Sequence, residues 1–89
     1  MFKTYPDLVL TAGQEIDLYV QFPDSANKIL LVQNKSASPV VLRTSTSTDN
    51  SGISLVTPYS IQISSTGTLF IKNTGYSGVT VSVTEVSPE

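Results

Sequence analysis

One segment of this chain occurs twice, and that repeat constrains the fold more than any other feature. Residues 30–44 read LLVQNKSASPVVLRT and residues 69–83 read LFIKNTGYSGVTVSV, so each position matches the one 39 residues further on. Leu30/Leu69, Asn34/Asn73, Ser38/Ser77 and Val40/Val79 are identical pairs. Leu31/Phe70, Val32/Ile71 and Leu42/Val81 are apolar pairs, while Pro39 and Gly78 are both residues that turn a chain. One structural unit is used twice.

Within each copy, apolar residues alternate with polar ones on either side of a small polar loop, which is the period of a half-buried strand. The pattern predicts a hairpin. Placing Val32 opposite Val40 and Leu30 opposite Leu42 leaves residues 34–38 as the loop. The second copy gives the same register, with Ile71 opposite Val79, Leu69 opposite Val81, and residues 73–77 as the loop. Gly75 stands ready there for an unusual backbone conformation.

Outside the repeat, Ile16, Leu18, Val20 and Phe22 alternate with Glu15, Asp17, Tyr19 and Gln21, which predicts one strand over residues 15–22 after a turn containing Gly13. Residues 8–10 read as a short edge strand after Pro6, and residues 23–27 as a loop. Residues 52–56 and 60–64 read as short strands around Thr57, Pro58 and Tyr59, with a turn at residues 65–67. Residues 44–52 are too polar to bury. No segment carries helical periodicity.

About eight short strands in 89 residues predict an all-β fold, a small antiparallel β-sandwich or barrel with an internal pseudo-repeated hairpin. The repeat suggests pseudo-twofold symmetry, each half giving one lone strand (residues 15–22 or 60–64) and one hairpin. Ile16, Leu18, Val20, Leu30, Val32, Leu42, Ile61, Ile63, Leu69, Ile71, Val79, Val81 and Val83 are the expected core. The length suits a single domain over residues 1–89, with residues 1–7 as an N-terminal arm.

Histidine and cysteine are both absent, which removes the usual general base, the usual soft metal ligands and the most reactive nucleophile. No disulfide clamps the core. The net charge of −2 and five scattered basic residues do not make the basic track that a nucleic acid needs. No apolar run reaches the roughly 20 residues that span a bilayer. Residues 1–10 lack the pattern of a secretory signal, so synthesis in the cytoplasm is expected.

The chemistry-bearing side chains that remain are few. Glu15 and Asp17 project from one strand face as a carboxylate pair of the kind that hydrolyses glycosidic bonds, or as an ordinary outward polar face. Asp49, Asn50, Ser51 and Gly52 gather oxygen ligands without the full spacing of a calcium loop. Tyr19, Tyr59 and Tyr76 are candidates for stacking on a sugar, with Tyr76 at a hairpin tip equally suited to touching a neighbouring protein. If Leu30, Val32, Leu69 and Ile71 point inward, then Leu31, Val41 and Phe70 point outward. Such a patch marks either a protein interface or a face covered by residues 1–6 of the same chain.

The repeat phrase, an apolar pair with a following Asn, a small polar turn and then Val-x-Val, resembles the short all-β accessory proteins of tailed bacteriophage particles, the head decoration, cement and tail-associated subunits. It is carried here by residues 30–44 and 69–86. The resemblance implies a non-enzymatic virion structural protein without cofactor or metal, made in the host cytoplasm and ending in the virion. It also implies a capsid decoration or cement subunit that binds the major capsid protein or another virion structural protein, itself a homo-oligomer such as a trimer, with neither nucleic acid nor membrane as partner. Its interface would comprise Leu31, Val41 and Phe70 with an arm of Tyr5, Pro6 and Asp7. The alternative is a carbohydrate-binding or host-adhesion module of a phage tail or fibre, acting through Tyr76 and the loops at residues 34–38, 44–52 and 73–77.

Overall fold

Nine strands in two antiparallel sheets make up the computed structural model, which describes residues 3–44 and 51–86. In chain order they are β1 (Lys3–Thr4), β2 (Leu8–Leu10), β3 (Glu15–Asp17), β4 (Leu30–Asn34), β5 (Val40–Arg43), β6 (Ile53–Leu55), β7 (Ser60–Ile63), β8 (Phe70–Asn73) and β9 (Val79–Glu85). A short helix α1 (Leu18–Gln21) and a 3-10 turn (Pro23–Ser25) separate β3 from β4. In the first sheet β1 and β2 both lie on β9, which pairs with β4, and β4 with β7. The second sheet runs β3-β8-β5-β6.

The strands form because their apolar residues fall at every second position. Leu30, Val32, Val79, Val81 and Val83 from the first sheet meet Val40, Leu42 and Ile71 from the second, all with no exposed surface. Leu10, Leu18 and Leu69 close the ends of this layer. Full burial of such a side chain contributes about 1.5–3 kcal/mol, and with no cysteine to cross-link the chain this layer is the main source of stability.

The expected all-β sandwich is what forms, but its repeated unit is an arch instead of a hairpin. β4 belongs to the first sheet and β5 to the second, while β8 belongs to the second and β9 to the first. Val32 pairs with Ile61 and Val83, and Leu42 with Ile53 and Ile71. Val32 and Val40 therefore reach one interior from opposite walls.

A buried asparagine shapes each arch. Asn34 Nδ2 donates to the Ser38 carbonyl at 2.8 Å and the Leu55 carbonyl at 3.0 Å, and its Oδ1 accepts from the Ser36 N–H at 2.9 Å. Asn73 repeats the arrangement with the Ser77 carbonyl (2.7 Å), the Leu10 carbonyl (3.1 Å) and the Gly75 N–H (3.0 Å). Neither side chain is exposed. The loop's polar backbone groups, which burial would otherwise leave unpaired, thus find partners inside the sandwich. Ser38 Oγ then donates to Asn73 Oδ1 at 2.7 Å, joining the two arches, and a Cβ at Gly75 would collide with that hydroxyl. Glycine serves there for close approach and not for the positive φ expected of it, which Gly75 does not adopt.

The pseudo-twofold extends past the repeat. β2, β3, β4 and β5 correspond to β6, β7, β8 and β9, with the two sheets exchanged. Leu10 pairs with Val79 as Leu55 pairs with Val40, and Ile16 with Ile71 as Ile61 with Val32. The turn at residues 11–14 closes with Gln14 N–H on the Thr11 carbonyl, and the turn at residues 56–59 with Tyr59 N–H on the Val56 carbonyl. Gly13, at φ 78°, occupies the place that Pro58, after a cis bond, holds in the second turn. The correspondence of residues 15–22 with 60–64 inferred from the repeat is therefore sound.

The single strand expected over residues 15–22 ends early. Asp17 Oδ1 accepts from the Tyr19 N–H at 2.9 Å and the Leu69 N–H at 3.3 Å, which caps a helical turn and breaks the alternation. Val20 is consequently 74% exposed instead of core. Ile16, Ile61 and Ile63 pack against the core half-buried, and the other expected core residues are buried.

Candidate functional site

The expected patch of Leu31, Val41 and Phe70 is divided by the sandwich. Leu31 lies on the outer face of the first sheet, whereas Phe70 and Val41 lie on the outer face of the second, since Ile71 and Leu42 beside them point inward. Val41 is only 4% exposed. Gly52 approaches so closely that a Cβ there would stand 2.5 Å from a Val41 methyl, and Val41 is thereby removed from any interface. Phe70 is half-buried, flanked in the ladder by Asp17 and Arg43.

The proposed arm is part of the fold as well. Lys3 and Thr4 pair with β9, and Tyr5 is buried, stacked on Phe22 with ring centroids 4.5 Å apart. Its hydroxyl donates to Glu85 Oε1 at 3.1 Å, and Lys28 Nζ meets Glu85 Oε2 at 3.4 Å. Tyr5 therefore cannot be an interface anchor. Pro6 and Asp7 are exposed, and Asp7 pairs with Lys35 at 2.6 Å.

Burial first, then the hydrogen bond to Glu85 and the negative charges of Glu85 and Asp24, push the Tyr5 hydroxyl up to about 12. A free tyrosine ionises near pH 10. The native state holds this proton more tightly than the unfolded chain, so its stabilising share is complete below pH 10 and is lost as the pH rises through about 12. Alkaline unfolding followed by circular dichroism should begin in that window. Tyr5→Phe should flatten the pH dependence there, and an unchanged curve would contradict the assignment.

Glu15 and Asp17 share a face as expected but are engaged in holding the fold. Glu15 Oε2 receives Arg43 Nε at 2.8 Å and Nη2 at 2.7 Å, and Arg43 Nη1 also donates to the Ser51 carbonyl. Asp17 is the helix cap described above. Of the calcium-loop residues, Asp49 and Asn50 lie outside the described residues, and Ser51 and Gly52 are exposed. Among the described residues no three His, Cys, Asp or Glu side chains gather as a metal site.

The tyrosines separate in the same way. Tyr19 is buried, its hydroxyl donating to the Lys28 carbonyl at 2.8 Å and accepting from the Ser65 N–H at 2.9 Å. Tyr59 and Tyr76 are the exposed pair, Tyr76 fully so. Both lie at the end of the sandwich where four connections cross between the sheets, at residues 11–14, 35–39, 56–59 and 74–78. The loops at residues 34–38 and 73–77 share this end, as expected. Thr44 and Gly52 lie toward the opposite end, and residues 45–50 of the third expected loop lie outside the described residues.

The remaining candidate surface is a shallow open groove on the outer face of the first sheet, lined by Leu31, Gln62, Thr84 and Val86. Leu31 is cross-strand neighbour to both Gln62 and Thr84. Sequence alternation identifies Leu31 as outward-facing. Its companions depend on β4 lying between β7 and β9, which a hairpin register hides.

By architecture this is a two-sheet antiparallel β-sandwich built from interlocked pseudo-twofold halves. Comparison with known proteins finds no match to it: no family model, no curated protein and no solved structure.

Proposed function

We propose that this chain is a non-enzymatic structural subunit, a capsid decoration or cement protein that docks on a particle lattice through the outer face of its first sheet. The carrying observation is how its polar groups are used. Glu15 is bound to Arg43, Asp17 caps α1, Glu85 holds Tyr5 and Lys28, and both buried asparagines tie the arches. These side chains maintain the scaffold, while the groove around Leu31 leaves apolar surface open. Covering it with the major capsid protein would contribute about 25 cal/mol for each Å² of apolar area removed from water, multiplied over many copies. Particle localisation and assembly in a host cytoplasm belong to this reading.

Leu31→Asp tests it, because Leu31 is half-buried on an outer face and its loss spares the core. The variant should keep its circular dichroism and thermal midpoint but lose co-sedimentation with capsid lattices. Retained attachment, or a wild-type chain that binds no lattice, would contradict the reading. A second reading, carbohydrate binding or host adhesion, draws on Tyr59 and Tyr76 at the crossing end. A glycan array positive for wild type and negative for Tyr59→Ala/Tyr76→Ala would favour it instead.

A further inference from the structure

The pseudo-twofold supplies an internal comparison between two sheet edges. β3 and β7 are corresponding strands, and each ends its sheet among the described residues. β3 is blunted: it is three residues long, carries Glu15 and Asp17, and turns at once into α1. Charges and abrupt ends of this kind are how native sheets prevent edge pairing. β7 has none of these devices. It reads Ser60-Ile61-Gln62-Ile63, followed by Ser64, with no charge and no proline.

The backbone groups it exposes can be assigned. Asn34 N–H donates to the Tyr59 carbonyl, so the ladder alternation of an antiparallel pair turns the N–H and C=O of Ile61 and Ile63 toward β4. Those of Ser60, Gln62 and Ser64 face away from it. Ile61 and Ile63 pack against the core only half-buried, since the sheet ends beside them. Gln62 lies on the outer face at the rim of the Leu31 groove.

The segment Ser60-Ile61-Gln62-Ile63-Ser64 reads the same in both directions, which is the self-complementarity that a twofold interface requires. We infer that β7 pairs antiparallel with β7 of a second copy of this chain, with Gln62 on the axis, joining two first sheets into one continuous sheet. Ile61 then stands opposite Ile63 of the second copy on the core face, in the closer, non-hydrogen-bonded position. Ser60 stands opposite Ser64. The outward groups of Ser60, Gln62 and Ser64 become the ladder. No like charges meet across the axis. The inference is independent of any particle, because it concerns the isolated chain.

Sedimentation of the purified chain from about 1 µM to about 1 mM should give a mass rising from one chain to two. Gln62→Lys places two ammonium groups on the axis and should weaken the dimer by at least about tenfold with circular dichroism unchanged. Gln62→Pro removes an N–H that points away from β4, so the fold should tolerate it while the dimer is lost. A monomer throughout the range, a trimer or larger ring, or a dimer that keeps its affinity in both variants would each overturn the inference. None of those results touches the lattice-docking proposal, which Leu31→Asp tests separately.

Discussion

Asn73→Ala is expected to destabilise the protein by about 4 kcal/mol and Asn34→Ala by about 3 kcal/mol, as each orphaned buried partner costs roughly 1–3 kcal/mol. Asn73 is the more damaging loss because its Oδ1 also accepts the Ser38 hydroxyl, a contact with no counterpart at Asn34. In both variants two carbonyls and one N–H lose a buried asparagine as partner. Small domains hold only about 5–15 kcal/mol in total, so the double variant should fail to fold. Urea unfolding measures the effect directly: the midpoints should fall while the slopes stay constant. A loss below about 1 kcal/mol at Asn73 would mean that the arches stand without these side chains.

Glu15→Ala should cost about 3 kcal/mol, because it takes away the carboxylate that faces a buried guanidinium. The Arg43 side chain is 7% exposed and meets Glu15 through both Nε and Nη2. The Lys3–Asp24 pair, at 3.5 Å with side chains 50% and 82% exposed, provides the contrast. Asp24→Ala should cost less than about 1 kcal/mol. Replacing both members of the buried pair, as in Glu15→Ala/Arg43→Leu, should recover part of the loss, since no uncompensated charge remains. Equal costs for Glu15→Ala and Asp24→Ala in denaturant titrations would refute this view of the second sheet.

Alternation revealed which way side chains point and concealed which strands are neighbours. Leu30, Val32, Leu42, Ile71, Val79, Val81 and Val83 all face the interior as their period requires, yet a hairpin and an arch place these residues on the same interior. The difference lies in Asn34 and Asn73. Their identity across the repeat is visible in sequence, but their inward hydrogen bonds are tertiary. The wider symmetry is faint for a simpler reason: the connection from β3 to β4 is longer than that from β7 to β8, which shifts the correspondence from 39 to 45 residues. Beyond the arches Leu10/Leu55 and Ile16/Ile61 are the identical pairs among the facing core positions.

The surface was less legible than the core. Alternation sends Val41 outward, yet it is buried, with the chain at Gly52 lying against its methyl. Tyr5 follows no period at all; it is buried because Phe22 and Glu85 are positioned to receive its ring and hydroxyl. Leu31 does remain on an outer face, but its groove needs Gln62, Thr84 and Val86 from strands that sequence alone does not place beside it.

The interlocked arches are tested most directly by proton–proton contacts in solution. Facing residues of antiparallel strands in the non-hydrogen-bonded position bring their α-protons close together. Lys35 N–H donates to the Thr80 carbonyl and Thr74 N–H to the Pro39 carbonyl, which puts Val32 with Val83 and Leu42 with Ile71 in that position. Nuclear Overhauser spectra should show α-proton contacts between Val32 and Val83 and between Leu42 and Ile71. Contacts between Val32 and Val40 and between Ile71 and Val79 in their place would show two hairpins, and the arch would be wrong.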